Sequence, residues 1–122
     1  MTVQGDVVLL EMRSAGTDDM KLRPALVLAR LPGPWQTWLV CGISTRLGDV
    51  LPGWDEMVDP SEERFDHMGL KRRSVIRLSF LVAIADPDIR GRIGAAPRPD
   101  LAQLRRRLAV SLGPSGDTVP EG

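Results

Sequence analysis

ALVLARLPGPWQTWLVCGIS, residues Ala25–Ser44, holds two apolar runs on either side of Pro32-Gly33-Pro34. Short runs rich in Val, Leu, Ile and Trp, bounded by Gly and Pro, read as strands. Ala25–Arg30 and Thr37–Ser44 therefore form a predicted hairpin. Pro24 has no N–H to give a ladder, so it belongs at a strand start or a sheet edge. Upstream, Val7–Met12 is apolar except for Glu11 and follows Gly5-Asp6, a strand entered from a turn. Ser14–Met20 between the two strands is a polar loop. Downstream, Gly48–Gly53 is rich in turn residues. Glu56–Asp59 reads as a short edge strand, or Asp59–Glu63 as the start of one helical turn. Ser74–Ala85, SVIRLSFLVAIA, is the longest β-like run, and Arg77 and Ser79 at alternate positions mark one solvated face. Arg90–Gly94 is a last short strand. Pro99–Leu112 is the clearest helix. Leu101, Leu104, Leu108 and Leu112 recur at helical spacing, Pro99 suits the first turn, and Gly113-Pro114 marks the stop. The expected fold is mainly β with a C-terminal helix, a small barrel or half-open sheet. Residues 1–112 form one domain and 113–122 a disordered tail.

Composition narrows the function classes. A chain of 122 residues with 43% hydrophobic and 26% charged residues has room for one domain with its own core. The single cysteine, Cys41, rules out an intrachain disulfide and, lying in an apolar strand, reads as a buried small hydrophobe. The N-terminal Met-Thr-Val-Gln-Gly-Asp has no basic, long-apolar pattern of a signal peptide. No segment reaches the ~18 apolar residues of a membrane span, so the expected location is cytoplasmic, without a membrane partner. Sixteen basic residues balance sixteen acidic ones. That balance argues against broad, charge-driven nucleic-acid binding. Residues 62–112 nevertheless carry 11 basic and 6 acidic side chains, against 5 and 8 in residues 1–61. No Cys/His cluster has metal-ligand spacing, and no Gly-rich phosphate loop precedes a helix. Neither a metal nor a cofactor is expected.

Four segments, taken in order, resemble one family. They are Gly5-Asp6-Val7-Val8, Arg23-Pro24-Ala25-Leu26-Val27-Leu28, Val40-Cys41-Gly42-Ile43-Ser44-Thr45 and Gly69-Leu70-Lys71-Arg72-Arg73-Ser74-Val75-Ile76. With the leucine-patterned helix behind them, they are similar to the MazF/PemK toxins of type II toxin–antitoxin systems, the mRNA interferases. The resemblance spans about residues 3–112. It implies an SH3-like barrel of the MazF/CcdB type, usually a homodimer. It also implies metal-independent, sequence-specific endoribonuclease cleavage of single-stranded RNA, leaving a 2′,3′-cyclic phosphate, and a cognate antitoxin that occupies the active groove.

Cleavage of this kind deprotonates a ribose 2′-OH, stabilises a pentacoordinate phosphorane and protonates the 5′-oxygen. The family's arginine falls on Arg23, whose guanidinium offers two donors to phosphate oxygens and a proton for the leaving group. A structural alternative pairs Arg23 with Asp18 or Asp19. The family's threonine or serine falls on Ser44, with Thr45 beside it, and strand alternation turns only one of the two toward the site. Lys21, Arg46, Arg72, Arg73 and Arg77 are candidate phosphate contacts. Trp54 is the candidate for stacking on RNA bases, and Trp38 reads as core or dimer interface. Arg105-Arg106-Arg107 reads as a solvated helix face. His67 is an acid/base candidate by residue type alone. Where many relatives carry a Glu-Gln or Asp-Gln pair, this chain has Ser79-Phe80, which implies a different RNA preference or weaker RNA binding. Two alternatives use the same fold: a CcdB-like gyrase poison without catalysis, and a plain SH3-like binding module.

Overall fold

The computed structural model describes residues 1–13 and 16–114. Ser14 and Ala15 of the first loop, and the predicted tail from Ser115 onward, lie outside the described residues. Six antiparallel strands make one sheet: β1 (Asp6–Arg13), β2 (Met20–Arg30), β3 (Thr37–Ser44), β4 (Glu56–Val58), β5 (Ser74–Ala85) and β6 (Ile89–Ala95). Their spatial order is β4-β5-β3-β2-β1-β6. Helix α1 (Glu63–His67) joins β4 to β5, and α2 (Arg98–Leu112) follows β6. The predicted hairpin forms, with Val27 opposite Val40 and the Leu31 N–H bonded to the Thr37 carbonyl at 2.9 Å. The expected edge strand forms at Glu56–Val58, whereas the helical turn expected from Asp59 begins only at Glu63, after a turn at residues 60–62. No helix among the described residues is long and apolar enough to cross a membrane.

The strands read as near-continuous apolar runs because both faces of the sheet are covered. On one face Val7, Leu26, Leu28, Cys41, Ile43, Ile76 and Leu78 meet Phe65 of α1 and Leu104 and Leu108 of α2. On the other, Val8, Leu10, Ala25, Val27, Trp38 and Val40 form a second cluster. Burial of the Cys41 thiol pushes its pKa up to about 12. Trp38 belongs to the core, and its indole Nε1 donates to Asp86 Oδ1 at 3.0 Å. The leucine stripe of α2 ends one turn early, since Leu112 is exposed beyond the sheet.

The half-barrel is open along its hydrogen-bonded direction: β4 and β6 are its two edges. Backbone packing narrows the opening. A Cβ on Gly94 of β6 would overlap the carbonyl groups of His67 and Met68, and a Cβ on Gly69 would overlap the Ile93 carbonyl. Two glycines thus let the turn after α1 lie directly on β6. Gly5-Asp6 is equally structural. The Asp6 carboxylate, almost fully buried, accepts from the Val3 N–H at 2.9 Å and pairs with Arg92 Nε of β6 at 2.8 Å. Ion pairs also tie β4 to both helices. Arg64 of α1 bonds Glu56 at 2.9 Å and Asp100 of α2 at 2.8 Å, and Arg107 of α2 bonds Glu56 at 3.0 Å.

Candidate active site

Pro24 lies inside β2, not at its start. It stands where β2 keeps only one neighbour: the ladder to β1 continues through Pro24 opposite Leu9, while the ladder to β3 begins at Ala25 opposite Gly42. A proline placed there withholds no bond that β3 could have accepted. Beyond that point β2 and β3 part, and a groove opens in the fork. The interrupted register, if continued, would set Arg23 opposite Ser44. Both residues line the groove, together with Met12, Arg13, Lys21, Gly42, Thr45, Arg46, Arg77 and Phe80.

Arg23 is exposed, and among the described residues no carboxylate lies within ion-pairing distance of it. Asp18 instead approaches Arg13 at 3.5 Å. The Ser44 hydroxyl oxygen accepts the Arg46 N–H at 3.0 Å, which turns the chain out of β3 and leaves the hydroxyl its own proton to donate. Ser44 and Thr45 are not divided between two faces. Ser44 is the last residue of β3, so strand alternation has lapsed at Thr45 and both line the groove.

Arg77 departs from the expected solvated face. Its guanidinium donates to the carbonyls of Arg46 and Gly48, each at 2.7 Å, and of Asp49 at 3.2 Å. It therefore fixes the loop that carries Arg46. Ser79 is likewise engaged. Between Arg77 opposite Gly42 and Leu81 opposite Cys41, β5 inserts Leu78, Ser79 and Phe80 as a bulge. The buried Asp55 carboxylate holds that bulge, accepting from the Ser79 N–H and hydroxyl at 3.1 Å and from the Leu51 N–H at 3.1 Å. Asp55 escapes a local reading of the sequence, and Phe80 shows there only as a departure from the pair that relatives carry. The available signal was the Ser79 hydroxyl in the middle of an apolar strand, which needs a partner.

The groove and the elements that build it fall within residues 3–112, and these match the model of a family described as PemK-like, MazF-like toxin of type II toxin-antitoxin system. The chain belongs to the PemK/MazF-like toxin family. It is similar in structure to Mycobacterium tuberculosis toxin MazF-mt6, with a TM-score of 0.61 and 20% sequence identity, over 87% of this chain and 94% of that one. At that identity the likeness concerns the fold. No curated protein sequence matches the chain.

Within this toxin-family fold, three of the expected contacts lie apart from the groove. Arg73 pairs with Asp59 at 3.3 Å beside β4. Arg72 is exposed ahead of β5, with its carbonyl taken by the Ser74 hydroxyl. Trp54 is half-buried against the helix-covered core, and its carbonyl accepts from Arg107 at 3.1 Å. The arginine triplet of α2 is only partly a solvated face: Arg105 donates to the Leu28 carbonyl at 2.9 Å, and Arg107 is engaged with Trp54 and Glu56. His67 is exposed, near Glu63, and outside the groove.

Proposed function

We propose that this toxin-family chain is a metal-independent endoribonuclease that cuts single-stranded RNA, mRNA in the cell, at specific sequences. One observation carries the reading. Six residues expected at the site, Lys21, Arg23, Ser44, Thr45, Arg46 and Arg77, converge on one groove, where Arg77 pairs with buried Asp55 at 3.7 Å and Lys21, Arg23 and Arg46 have no described carboxylate partner. A concave surface lined by cations focuses a positive field on a polyanion. In the proposed reaction the 2′-oxygen forms a bond to the adjacent phosphorus and the bond to the 5′-oxygen breaks. Solvent takes the 2′-hydroxyl proton, and the 5′-oxygen leaves protonated by solvent at the Arg23 side. Arg23 donates to the non-bridging oxygens as charge builds there, and the Ser44 hydroxyl adds a donor from the opposite strand. Lys21, Thr45 and Arg46 hold neighbouring phosphates.

As a type II toxin the chain implies an antitoxin partner. The partner is proposed to cover the groove at Arg23 and Ser44, and the working form to be a cytoplasmic homodimer. The test is incubation of purified protein with a long RNA in EDTA, beside Arg23→Ala, with both fragment ends mapped. Site-specific cuts by the wild type alone, ending in cyclic phosphate, are expected. Undiminished cutting by a folded Arg23→Ala variant would remove Arg23 from the reaction, and uncut RNA with a folded wild type would end the nuclease reading.

A further inference from the structure

Phe80 is the one aromatic side chain lining the groove among the described residues. It is 47% exposed and belongs to neither apolar cluster of the sheet. The half of the ring left open faces a groove lined by cations, where a base could add its own face to the aromatic surface. Two features fix the ring. Below it lies Gly42, where an added Cβ would come within 3.2 Å of Phe80 Cδ1, so the missing side chain lets the ring lie against β3. Behind it, Ser79 is bonded to buried Asp55, and Leu81 rejoins the ladder opposite Cys41. The backbone on both sides of Phe80 is therefore held while about half of the side chain stays open to the groove. Ser44 follows Gly42 by two residues on the same strand, so ring and hydroxyl share one face of β3.

We propose that Phe80 is a base-stacking platform: it takes the face of an unpaired nucleobase whose neighbouring phosphate lies against Arg23 and Ser44. This rests on the nuclease reading above and adds a second recognition element, for bases, to the phosphate contacts. A base inside a duplex cannot present its face to a side chain, so the platform selects single strands. Every base has a π-face, so the platform alone tolerates sequence variation.

The test uses short 2′-O-methyl oligoadenylate and oligouridylate, which lack the attacking hydroxyl, and an abasic strand of equal length that keeps only the phosphates. Binding is followed by fluorescence anisotropy for wild type, Phe80→Ala, Phe80→Trp and Arg23→Ala. Phe80→Ala is expected to weaken binding of the base-bearing strands by roughly 5- to 150-fold and to leave the abasic strand unaffected. Phe80→Trp restores the tight binding, and Arg23→Ala weakens all strands alike. Equal affinity of wild type and Phe80→Ala for base-bearing strands would overturn the stacking role and leave the nuclease reading standing. A folded wild type that neither binds nor cuts any RNA would overturn both.

Discussion

At the scale of single residues, the constraints where the turn after α1 meets β6 are steric. Gly94 sits on the carbonyls of His67 and Met68, and these are backbone atoms that no rotamer change can move aside. Gly94→Ala should therefore lower the unfolding free energy by at least ~2 kcal/mol, as overpacking against fixed neighbours does. Gly91→Ala is the control, in the same strand but with nothing within 4 Å of the added carbon. It should change stability by less than about 1 kcal/mol. Urea denaturation of the two variants checks the contrast, and equal losses would refute it. Arg23 belongs to the opposite class. It is exposed and supports no described ion pair, so its removal should cost chemistry and not folding, the outcome the cleavage assay reads. Its role was suggested by the motif it shares with a family. Ser44 was suggested in the same way; that the two stand opposite each other across the fork became visible only with the register between β2 and β3.

At the scale of elements, β4, α1 and α2 meet at Glu56. Burial alone would raise its carboxyl pKa, but hydrogen bonds and charge from Arg64 and Arg107 outweigh that and hold it below the ordinary 4.5. Arg64 is in turn kept charged: burial works against it, and its bonds to Asp100, Glu56 and Glu62 overcome the burial. A carboxylate with a depressed folded-state pKa adds stability above its unfolded value, and that contribution is lost as pH falls through the folded one. The wild type should therefore exceed Glu56→Gln in urea midpoint at neutral pH, with the gap closing as pH falls below the ordinary 4.5 and through the lowered folded-state value. Parallel profiles from neutral to acid pH would show that Glu56 does not link the helices. The elements themselves were largely legible. The hairpin, the long strand from Ser74 and the helix from Pro99 announce themselves through local spacing and punctuation. What stayed hidden depends on distant partners. Pro24 looks like a strand start because its single-neighbour position is set by where β3 departs. Arg77 and Ser79 look solvated because their acceptors, the 46–49 loop and Asp55, arrive from more than twenty residues away. Leu112 fits a stripe whose underlying sheet ends before it.

At the scale of the whole molecule, charge and core are distributed differently from what the halves of the sequence suggest. The excess of basic residues lies in 62–112, yet four of the five groove cations, Arg13, Lys21, Arg23 and Arg46, come from the acidic half. They are gathered by the fork between β2 and β3, and the arginines after residue 62 chiefly knit helices to strands. Both faces of the sheet are covered, and Cys41 lies at its centre with no exposed surface. A thiol so placed is both inaccessible and protonated, and only a thiolate reacts. Labelling by a disulfide reagent at mildly alkaline pH should therefore proceed no faster than global unfolding, with a rate that rises with urea along the unfolding arm. Fast, urea-independent labelling would mean that the sheet opens locally at β3. The chain thus carries its own stopwatch. Each modified thiol counts one complete opening, and a disulfide-linked pair recovered from an oxidised sample records two molecules that lost their fold before they met.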